Sequence, residues 1–597
     1  MNFIANETSR KLRGGYYTDP DIVAFLLQWV LETQPAAILE PSCGDGAFLR
    51  GLARLPNNAP QVQAFELDPL EAAAAREAAR SAGVPAQVVA GDFLQWLLAH
   101  AGAEPAFDAV VGNPPFIRYQ YLDGALQDRA QRLITTLGLP FTKHTNAWVP
   151  FVVGSLAQLR PGGRLAMVVP AELLHVLHAQ SVRRYLLREC ARIVVLDPEE
   201  LWFAGALQGT VLLLAEKAKV SQPRRGLAQV AVSRIRGRAD LAEPASLHIA
   251  RASFVPGEQL PGKWMLALLT VHERELLATL ARHQDVHAFS EVASVAVGIV
   301  TGANKFFLVP DSTVAEFDLQ AFAHPMFGRS EHVPGVLYDD ATHRENQRLG
   351  LPSNFLWFNP SETTPLSPRV QAYVQAGEAQ DLHKRYKCRS RDPWYRVPSV
   401  FSAPVGMLKR SHDFPRLVLN RAAALTTDTA YRIVPKAVPA PQLVLGFVNS
   451  LTALTAELEG RHYGGGVLEL VPSEIRRLLV PVVPSDEAAL QRLDHALRAH
   501  WAPAAVFELQ DAAVLGALGL PEADRCTVRN AWYKLRNRRQ RVEQPLAGDS
   551  GEDATSGDAD AAEEGTLAAL GELHARAGSS SVRHATSGVT TAASTAQ

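Results

Sequence analysis

The sequence has no long uninterrupted apolar stretch. A membrane-spanning helix needs about 20 consecutive apolar residues, whereas the longest apolar run, around Val211–Ala215, has the length of a buried strand. The first ten residues are polar and lack the apolar core of a signal peptide. We therefore predict neither a membrane contact nor export, and we expect a cytoplasmic protein.

Cysteine is scarce as well. The 597 residues include only Cys43, Cys190, Cys388 and Cys526, whose separation fits neither a zinc site nor a disulfide framework. A reduced protein without a metal ion is predicted. The net charge of −2 argues against a wholly basic nucleic-acid binder. However, acidic residues are concentrated near the C-terminus, and the rest of the chain is net positive.

Between residues 36 and 216, short apolar runs alternate with amphipathic stretches, a pattern typical of βαβ units and a mostly parallel sheet. Seven strands are predicted, at Ala36–Glu40, Val62–Glu66, Gln87–Ala90, Ala109–Gly112, Arg164–Val169, Arg192–Leu196 and Thr210–Ala215. Helices are predicted at Gly46–Leu55, Pro69–Ala82, Trp148–Leu159 and Ser181–Cys190. Right-handed crossovers place the carboxyl ends of the strands at one edge, where such sheets bind ligands.

The alternation ends near residue 220, so a first domain is predicted at residues 10–220. Residues 230–484 contain scattered prolines, short strand-like runs and aromatic–basic clusters, which indicate an α+β second domain. Residues 485–543 look helical. The acidic residues 544–597 are rich in glycine, alanine and serine and are predicted to form a disordered tail.

The first predicted strand ends in Glu40-Pro-Ser-Cys-Gly-Asp-Gly46. Gly44 and Gly46 would let a ligand approach the backbone closely. The third glycine of a dinucleotide fingerprint is missing, because Leu49 stands at its position. The motif therefore favours a ligand without phosphate, and Glu40 could accept hydrogen bonds from an amine.

The next two strands also end in acidic residues. Glu66 is placed to accept hydrogen bonds from a ribose diol, while Asp92 and Phe93 could hold and cover an adenine ring. An aspartate after a strand is more often a helix N-cap. Three such motifs on consecutive strand ends nevertheless favour a nucleoside ligand.

The fourth strand ends in Asn113-Pro114-Pro115-Phe116. The prolines fix φ and push Asn113 towards an extended conformation. This stiff loop presents the Asn113 side-chain oxygen and the Pro114 carbonyl as acceptors, beside the flat ring of Phe116. Two acceptors on the N–H groups of an exocyclic amine would favour its attack on a sulfonium methyl group, and an aromatic ring would hold a base extruded from the duplex.

Five motifs, taken in their order along the chain, resemble the gamma class of adenine-N6 DNA methyltransferases of restriction–modification systems. These motifs are Thr18-Asp-Pro20, the Glu40–Gly46 motif, Glu66-Leu-Asp-Pro69, Gly91-Asp-Phe93 and Asn113-Pro-Pro-Phe116. The similarity covers most of residues 10–485. It implies a Rossmann-like seven-stranded methyltransferase sheet followed by a target-recognition domain, with S-adenosylmethionine as cofactor. Double-stranded DNA is the implied partner, together with a cognate restriction endonuclease or defence-system subunits.

The resemblance also assigns residues. The residues implied to be catalytic are Asn113, Pro114, Phe116 and Phe203. Phe203 would be an aromatic residue that closes on the flipped base. The residues implied to line the cofactor are Thr18, Glu40, Gly44, Gly46, Glu66, Asp92 and Phe93. Phe116 stands where tyrosine is common in the class, so stacking is expected to persist while any contact of the tyrosine hydroxyl group is lost.

Cations alternate with aromatic residues at Lys384–Arg396, which suits phosphate contacts on DNA. The residues predicted to bind DNA are Lys305, Lys387, Arg389, Arg391 and Arg461. A solvated loop containing a core tryptophan remains an alternative for this stretch.

Other functions stay open at this point. The same loop serves enzymes that methylate protein glutamine side chains or bases in RNA, and a catalytically idle scaffold of a defence complex is also conceivable. Some restriction–modification enzymes combine methylation with cleavage, but no nuclease pattern is found after residue 485.

Overall fold

The computed structural model describes residues 18–54, 59–117, 119–142, 145–200, 202, 209–219, 228–359, 365–484 and 486–540. Its largest element is a sheet of nine strands: β1 (Ala37–Glu40), β2 (Gln61–Glu66), β3 (Ala86–Ala90), β4 (Phe107–Gly112), β5 (Leu159–Pro170), β6 (Cys190–Pro198), β7 (Thr210–Lys217), β8 (Gln229–Ile235) and β9 (Val255–Pro256). Phe203 and residues 544–597 lie outside the described residues, so the expectations for them stay predictions.

The strand order across the sheet is β3-β2-β1-β4-β5-β7-β6-β8-β9. The strands from β3 to β5 are parallel, and β7 runs antiparallel between β5 and β6. At the far side, β8 is parallel to β6 and β9 is antiparallel to β8. The direction in which strands are added reverses between β1 and β4, and this is the point where open α/β sheets bind ligands.

The predicted α/β fold is confirmed, and each of the seven predicted strands is present. The sheet extends beyond the seven predicted strands, because β8 and β9 continue it. Residue 230, predicted to begin the second domain, lies within β8 and pairs with Ile193 of β6. No helical pattern precedes β8 in the sequence, so the βα alternation does not reveal it.

Helices cover both faces of this sheet. They are α1 (Pro20–Leu31), α2 (Ala47–Gly51), α3 (Pro69–Ala82), α4 (Phe93–Ala99), α5 (Gly124–Thr136), α6 (Trp148–Gln158), α7 (Gln180–Glu189) and α8 (Ala245–Arg251). Successive residues of β4 point to opposite faces. Val110 packs in the hydrophobic cluster that includes residues of α4–α7, and Val111 packs in the cluster that includes residues of α1–α3 and α8.

Several of these helices begin at an aspartate that caps the first turn. The carboxylates of Asp19, Asp68, Asp92 and Asp123 each accept a hydrogen bond from a backbone N–H group of the helix that follows. Such caps satisfy amide groups that have no partner within the helix. The sequence analysis gives α3 correctly but does not predict α1, α4 or α5.

The strands after β9 form four smaller sheets. These strands are β10 (Val286–Ala288), β11 (Ala293–Val297), β12 (Leu308–Val309), β13 (Ala323–Pro325), β14 (Leu337–Tyr338), β15 (Asn354–Leu356), β16 (Val405–Leu408), β17 (Arg410–Ser411), β18 (Leu417–Asn420), β19 (Ala430–Pro435), β20 (Arg461–Tyr463), β21 (Val467–Glu469) and β22 (Leu479–Pro481). The largest sheet has the order β11-β19-β16-β18-β14 and mixes parallel and antiparallel pairs. This part of the chain has the predicted α+β character.

The helices of the same part are α9 (Val271–Leu280), α10 (Phe289–Val292), α11 (Asn304–Phe307), α12 (Asp311–Glu316), α13 (Asp340–Arg348), α14 (Pro368–Ala379), α15 (Ala440–Phe447), α16 (Ser450–Glu459), α17 (Pro472–Ile475), α18 (Glu487–Arg498), α19 (Pro503–Ala513) and α20 (Glu522–Arg539). The last three are the predicted C-terminal helical segment. This segment is not separate, because Trp532 of α20 is fully buried in a hydrophobic cluster that continues to the first sheet.

Within the described ranges, no helix is both long enough and apolar enough to cross a bilayer.

Candidate active site

The predicted site segments follow strands that are neighbours in the sheet. The ends of β3, β2, β1 and β4 are consecutive in the strand order, so Asp92, Glu66, Glu40 and Asn113 stand along one edge. The pairing of Ile38 with Ala109 fixes β1 beside β4. The fold thus places the nucleoside motifs next to the Asn-Pro-Pro-Phe loop, as the sequence predicts.

The turn after β1 is held by backbone hydrogen bonds. The Cys43 amide donates to the Phe65 carbonyl over 2.8 Å, and the Gly46 amide donates to the Cys43 carbonyl over 2.9 Å. Gly44 and Gly46 have φ values of +51° and +90°, a region that favours glycine. A Cβ atom on Gly46 would lie 3.0 Å from Ala75 Cα, whereas one on Gly44 would meet no atom within 4 Å. Gly46 therefore accommodates helix α3, and Gly44 is the glycine beside open space.

Glu40 has the most unusual environment of the site. Its side chain is 1% exposed, and neither carboxyl oxygen has a hydrogen-bond partner among the described residues. Burial first, and then the nearby carboxylates of Glu66 and Asp45, raise the pKa of Glu40 to about 8. A buried polar group without a partner costs free energy, and a bound cationic group would remove this cost.

Glu66 stabilises the turn from the neighbouring strand. Its two carboxylate oxygens accept hydrogen bonds from the Gly44 amide (3.0 Å) and the Asp68 amide (2.9 Å). Glu66 thus shapes the glycine turn as well as being the predicted ribose acceptor.

Asp92 and Phe93 are engaged within the protein. One Asp92 oxygen caps α4 by accepting from the Leu94 amide over 2.7 Å, and the other forms an ion pair with Arg129. The Phe93 ring is 2% exposed and packs against Phe65, with ring centroids 5.3 Å apart. Asp92 therefore acts as a helix N-cap, which is the usual role of an aspartate after a strand. Contact of Asp92 or Phe93 with an adenine ring stays a prediction.

The loop after β4 is anchored on both sides. The Asn113 carbonyl accepts a hydrogen bond from the Ser42 hydroxyl over 3.1 Å. The Asn113 side-chain nitrogen donates to the Thr18 hydroxyl over 3.2 Å. This second bond directs the amide nitrogen towards Thr18, a buried residue, and the amide oxygen away from it. The amide is therefore oriented as an acceptor.

Pro114 is buried and Phe116 is half-buried. The Phe116 ring packs against both hydrophobic clusters of the first sheet, at the boundary between them. The hydrophobic core therefore fixes the position of the Phe116 ring at the end of the Asn113–Phe116 loop.

A polar cluster beside this loop is missed by the sequence analysis. The Asn146 side chain donates to the Glu172 carboxylate (3.1 Å), accepts from the Tyr119 amide (3.3 Å) and lies 3.3 Å from His178. The next residue, Ala147, donates to the Ile117 carbonyl over 2.9 Å. These contacts join segments 26 to 32 residues apart in the chain, and no short motif in the sequence indicates them.

Several predicted DNA-binding residues of the second region converge. Gly302 is so close to Lys387 that an added Cβ atom would lie 2.7 Å from the Lys387 Cβ atom, which brings the segment of Lys305 beside that of Lys387 and Arg389. Tyr386 is 48% exposed, and the cationic groups of Lys387 and Arg389 each lie 5.3 Å from its ring centroid. We call Lys305, Tyr386, Lys387 and Arg389 the basic patch.

Arg391 and Trp394 have internal roles. The Arg391 guanidinium donates to the Val300 and Thr301 carbonyls, each over 2.7 Å, and so holds the loop that precedes Lys305. Trp394 is 8% exposed and its indole N–H donates to Glu378. Trp394 is therefore a core residue, as the alternative interpretation of this stretch predicts.

Arg461 is half-buried and belongs to a different group of charges. Its side chain and that of Lys263 both contact the buried carboxylate of Glu474, at 3.3 Å and 3.1 Å.

Comparison with known proteins accounts for most of the chain. Residues 1–231 match the family described as N-6 DNA Methylase, and residues 261–515 match the C-terminal domain of the Type II methyltransferase M.Eco57I. The Type II methyltransferase M.AccI of Acinetobacter calcoaceticus is 23% identical over 488 residues, which cover 78% of this chain and 85% of that protein. M.PaeR7I of Pseudomonas aeruginosa is 24% identical over 523 residues, which cover 80% of this chain and 87% of that protein.

Among solved structures, the Type IIL restriction-modification enzyme MmeI in complex with DNA aligns with a TM-score of 0.49 and 12% identity, over 87% of this chain and 75% of that one. The two family matches follow each other in the order that the motifs predict, and the first includes every strand end of the site. Residues 1–231 therefore belong to the N-6 DNA Methylase family, and the comparisons support the resemblance of the chain to gamma-class adenine methyltransferases of restriction–modification systems.

Proposed function

We propose that the chain transfers a methyl group from S-adenosylmethionine to the exocyclic amine of an adenine in double-stranded DNA. The observation that carries the proposal is the orientation of the Asn113 amide, whose nitrogen donates to Thr18 at the end of β4. In this orientation the amide oxygen points away from Thr18, where it could accept a hydrogen bond from an approaching amine.

The environment of Glu40 supports this cofactor. S-adenosylmethionine carries a sulfonium group and an amine, and when bound it supplies the methyl group. A buried carboxyl group without a partner suits a cationic ligand, because an opposite charge stabilises the ionised carboxylate. Glu66 is proposed as the acceptor of the ribose diol, and Leu49 in place of the third glycine argues against a pyrophosphate.

The catalytic roles follow from the loop. Asn113 Oδ1 and the Pro114 carbonyl would accept from the two N–H groups of the target amine, which favours its pyramidal, nucleophilic form. Acceptors that are fixed in advance need no reorganisation during the reaction. Phe116 would stack on the base after it leaves the duplex, and Phe203 is proposed as the second aromatic contact on the basis of the family resemblance alone.

The basic patch is proposed to contact DNA phosphates, with Arg391 supporting it from within. Cations neutralise phosphates and release counterions, and an exposed ring such as Tyr386 can stack or contact a sugar. In this division, the region around residues 10–220 performs the chemistry and the region around residues 230–484 selects the site. The chain would then be the modification arm of a restriction–modification or phage-defence system, with a cognate nuclease as its expected partner.

A three-substrate assay tests the proposal. The purified full chain is incubated with S-adenosylmethionine carrying an isotopically labelled methyl group and with bacterial DNA, total RNA or cell protein. We expect label in N6-methyladenine of DNA. Asn113→Ala should lower turnover by about 10²–10³-fold, as the loss of a preorganised polar contact does, while cofactor affinity stays within a few-fold of the wild-type value.

Glu77→Ala serves as the control, since Glu77 lies on the exposed side of α3 and pairs with Arg80. It should methylate DNA at the wild-type rate. Label confined to RNA or to glutamine side chains would replace the proposed substrate. Wild-type turnover in Asn113→Ala would remove Asn113 from the catalytic step.

A further inference from the structure

Arg238 joins two segments of the chain that flank the site, although it lies beyond the N-6 DNA Methylase match, which ends at residue 231. Its guanidinium forms an ion pair with the Asp19 carboxylate. The same guanidinium donates to the Trp202 carbonyl over 3.3 Å. Arg238 therefore connects the start of α1 to the segment that follows β6.

The backbone around Arg238 is fixed to that segment. The Arg238 amide donates to the Glu200 carboxylate over 3.3 Å, and the Glu199 amide donates to the Ile235 carbonyl over 2.8 Å. A Cβ atom on Gly237 would lie 2.2 Å from the Glu200 carboxyl carbon, so a side chain at that position would disrupt this contact. The Arg238 side chain thus extends from a backbone segment that is held in place.

On the other side, Asp19 uses its two oxygens differently. One accepts from the Asp21 amide over 3.1 Å and caps α1, while the other pairs with Arg238. Thr18, the preceding residue, is buried, and its hydroxyl accepts from the Asn113 side chain. A continuous series of contacts therefore runs from Arg238 through Asp19 and Thr18 to Asn113.

We propose that Arg238 is a positioning residue for Asn113, acting through Asp19 and Thr18. The inference rests on the proposed methyl transfer. The Thr18 hydroxyl contacts the Asn113 amide over 3.2 Å and so determines where this side chain lies at the end of β4. Holding Thr18 in place keeps the amide where its oxygen can reach the target amine.

This arrangement predicts a particular kinetic effect. The hydrogen bond from the target amine to the Asn113 amide oxygen strengthens as the amine becomes nucleophilic. Disorder of the Asn113 side chain should therefore raise the free energy of the transition state more than it weakens substrate binding. Arg238→Ala should lower kcat about 10-fold while KM for DNA changes less than about threefold. Arg238→Lys should recover part of kcat, because it retains the charge opposite Asp19 but lacks the planar fork that contacts two partners.

Asp19→Asn tests the same series from the other end. Asparagine still caps a helix, so the substitution removes the ion pair and retains the start of α1. We expect a loss of kcat similar to that of Arg238→Ala, and the double variant should be no slower than either single one. The control is Arg236→Ala, which removes an exposed positive charge two residues away and should change kcat less than twofold.

Hydrogen–deuterium exchange of the full chain supplies a readout that needs no methylation. Arg238→Ala should speed exchange in peptides covering residues 18–26 and 113–120 at least threefold, and Arg236→Ala should not. Exchange and kcat equal to those of Arg236→Ala would overturn the proposal, as would a loss expressed in KM alone. If the wild-type chain methylates no DNA, the proposed function fails, and exchange still decides whether Arg238 fixes these segments.

Discussion

Glu40 shows how burial makes a carboxyl group into a receptor for a cation. With its pKa raised to about 8, Glu40 keeps its proton at neutral pH while the site lacks a cation. In the unfolded chain the group loses its proton near pH 4.5. Because the folded state then binds more protons, the free energy of unfolding falls by about 1.4 kcal/mol per pH unit between these two pKa values.

Binding of a cationic cofactor should therefore release this proton. At pH 6.5 we expect S-adenosylmethionine binding to release close to one proton, because the bound positive charge lowers the pKa of Glu40 below the pH. Calorimetric titrations in buffers of different ionisation enthalpy measure the released protons. Glu40→Gln has no proton to lose and should show no buffer dependence. A wild-type binding enthalpy that is the same in every buffer would contradict the account of Glu40.

Glu66 permits a second test of the cofactor site. Glu66→Ala removes the predicted ribose acceptors and the contact with Gly44, so cofactor binding should weaken by about 1.5–3 kcal/mol. DNA affinity measured without cofactor should change little. Unchanged cofactor affinity in a calorimetric titration would exclude Glu66 from the site.

At the scale of elements, the cations of the basic patch and the arginine that supports the patch have different roles. Lys387 and Arg389 flank an exposed tyrosine, whereas Arg391 binds backbone carbonyls of a neighbouring loop. The two kinds of residue should therefore respond differently to substitution.

The double variant Lys387→Ala/Arg389→Ala should reduce the dependence of log Kd for DNA on log salt concentration by about two units, one per lost phosphate contact. Arg391→Ala should instead weaken the loop of Val300 and Thr301 and lower thermal stability. Fluorescence anisotropy at several salt concentrations measures the slope, with Arg251→Ala on α8 as a control that removes an exposed positive charge elsewhere. A double variant with the wild-type slope would show that DNA is bound elsewhere.

The elements themselves were largely predictable from the sequence. β2 and β4 are short apolar runs bounded by turn residues, and α3 begins at Asp68-Pro69 and ends before Gly83, three local signals that agree. In contrast, the Thr18–Asn113 and Asp19–Arg238 contacts join residues 95 and 219 positions apart. No periodicity encodes such pairs, so the contacts that orient the predicted site residues could not be derived from the sequence.

Glu66 and Asp92 illustrate the same limit. Their positions after strands predicted ligand contacts, yet Glu66 accepts hydrogen bonds from the Gly44 and Asp68 amides and Asp92 accepts one from the Leu94 amide. A carboxylate that stabilises a turn and one that holds a ligand have the same sequence pattern.

At the scale of the whole molecule, helix α20 connects the two large regions. Its Arg538 contacts Asp197 at the end of β6 over 2.6 Å, and the two side chains are 4% and 0% exposed. Its Arg539 pairs with the buried Glu457 of α16 over 2.7 Å. Buried charges of this kind hold the C-terminal helix against both the first sheet and the second region.

Arg538→Ala should lower the free energy of unfolding by about 3–5 kcal/mol, because it removes the guanidinium that forms an ion pair with the buried Asp197 carboxylate. Arg251→Ala breaks an exposed pair with Glu243 and should cost less than about 1 kcal/mol. Urea denaturation of both variants gives the comparison. Equal losses in the two variants would mean that the link between α20 and β6 contributes little.

Modification-sensitive sequencing of DNA from cells that express the full chain tests the central claim most directly, with cells expressing Asn113→Ala as the reference. The account predicts N6-methyladenine at one recurring short sequence with the wild-type chain and a nearly complete loss of that mark with Asn113→Ala. DNA in which adenines carry no new methyl group, or in which the Asn113→Ala chain leaves the same mark, would contradict it.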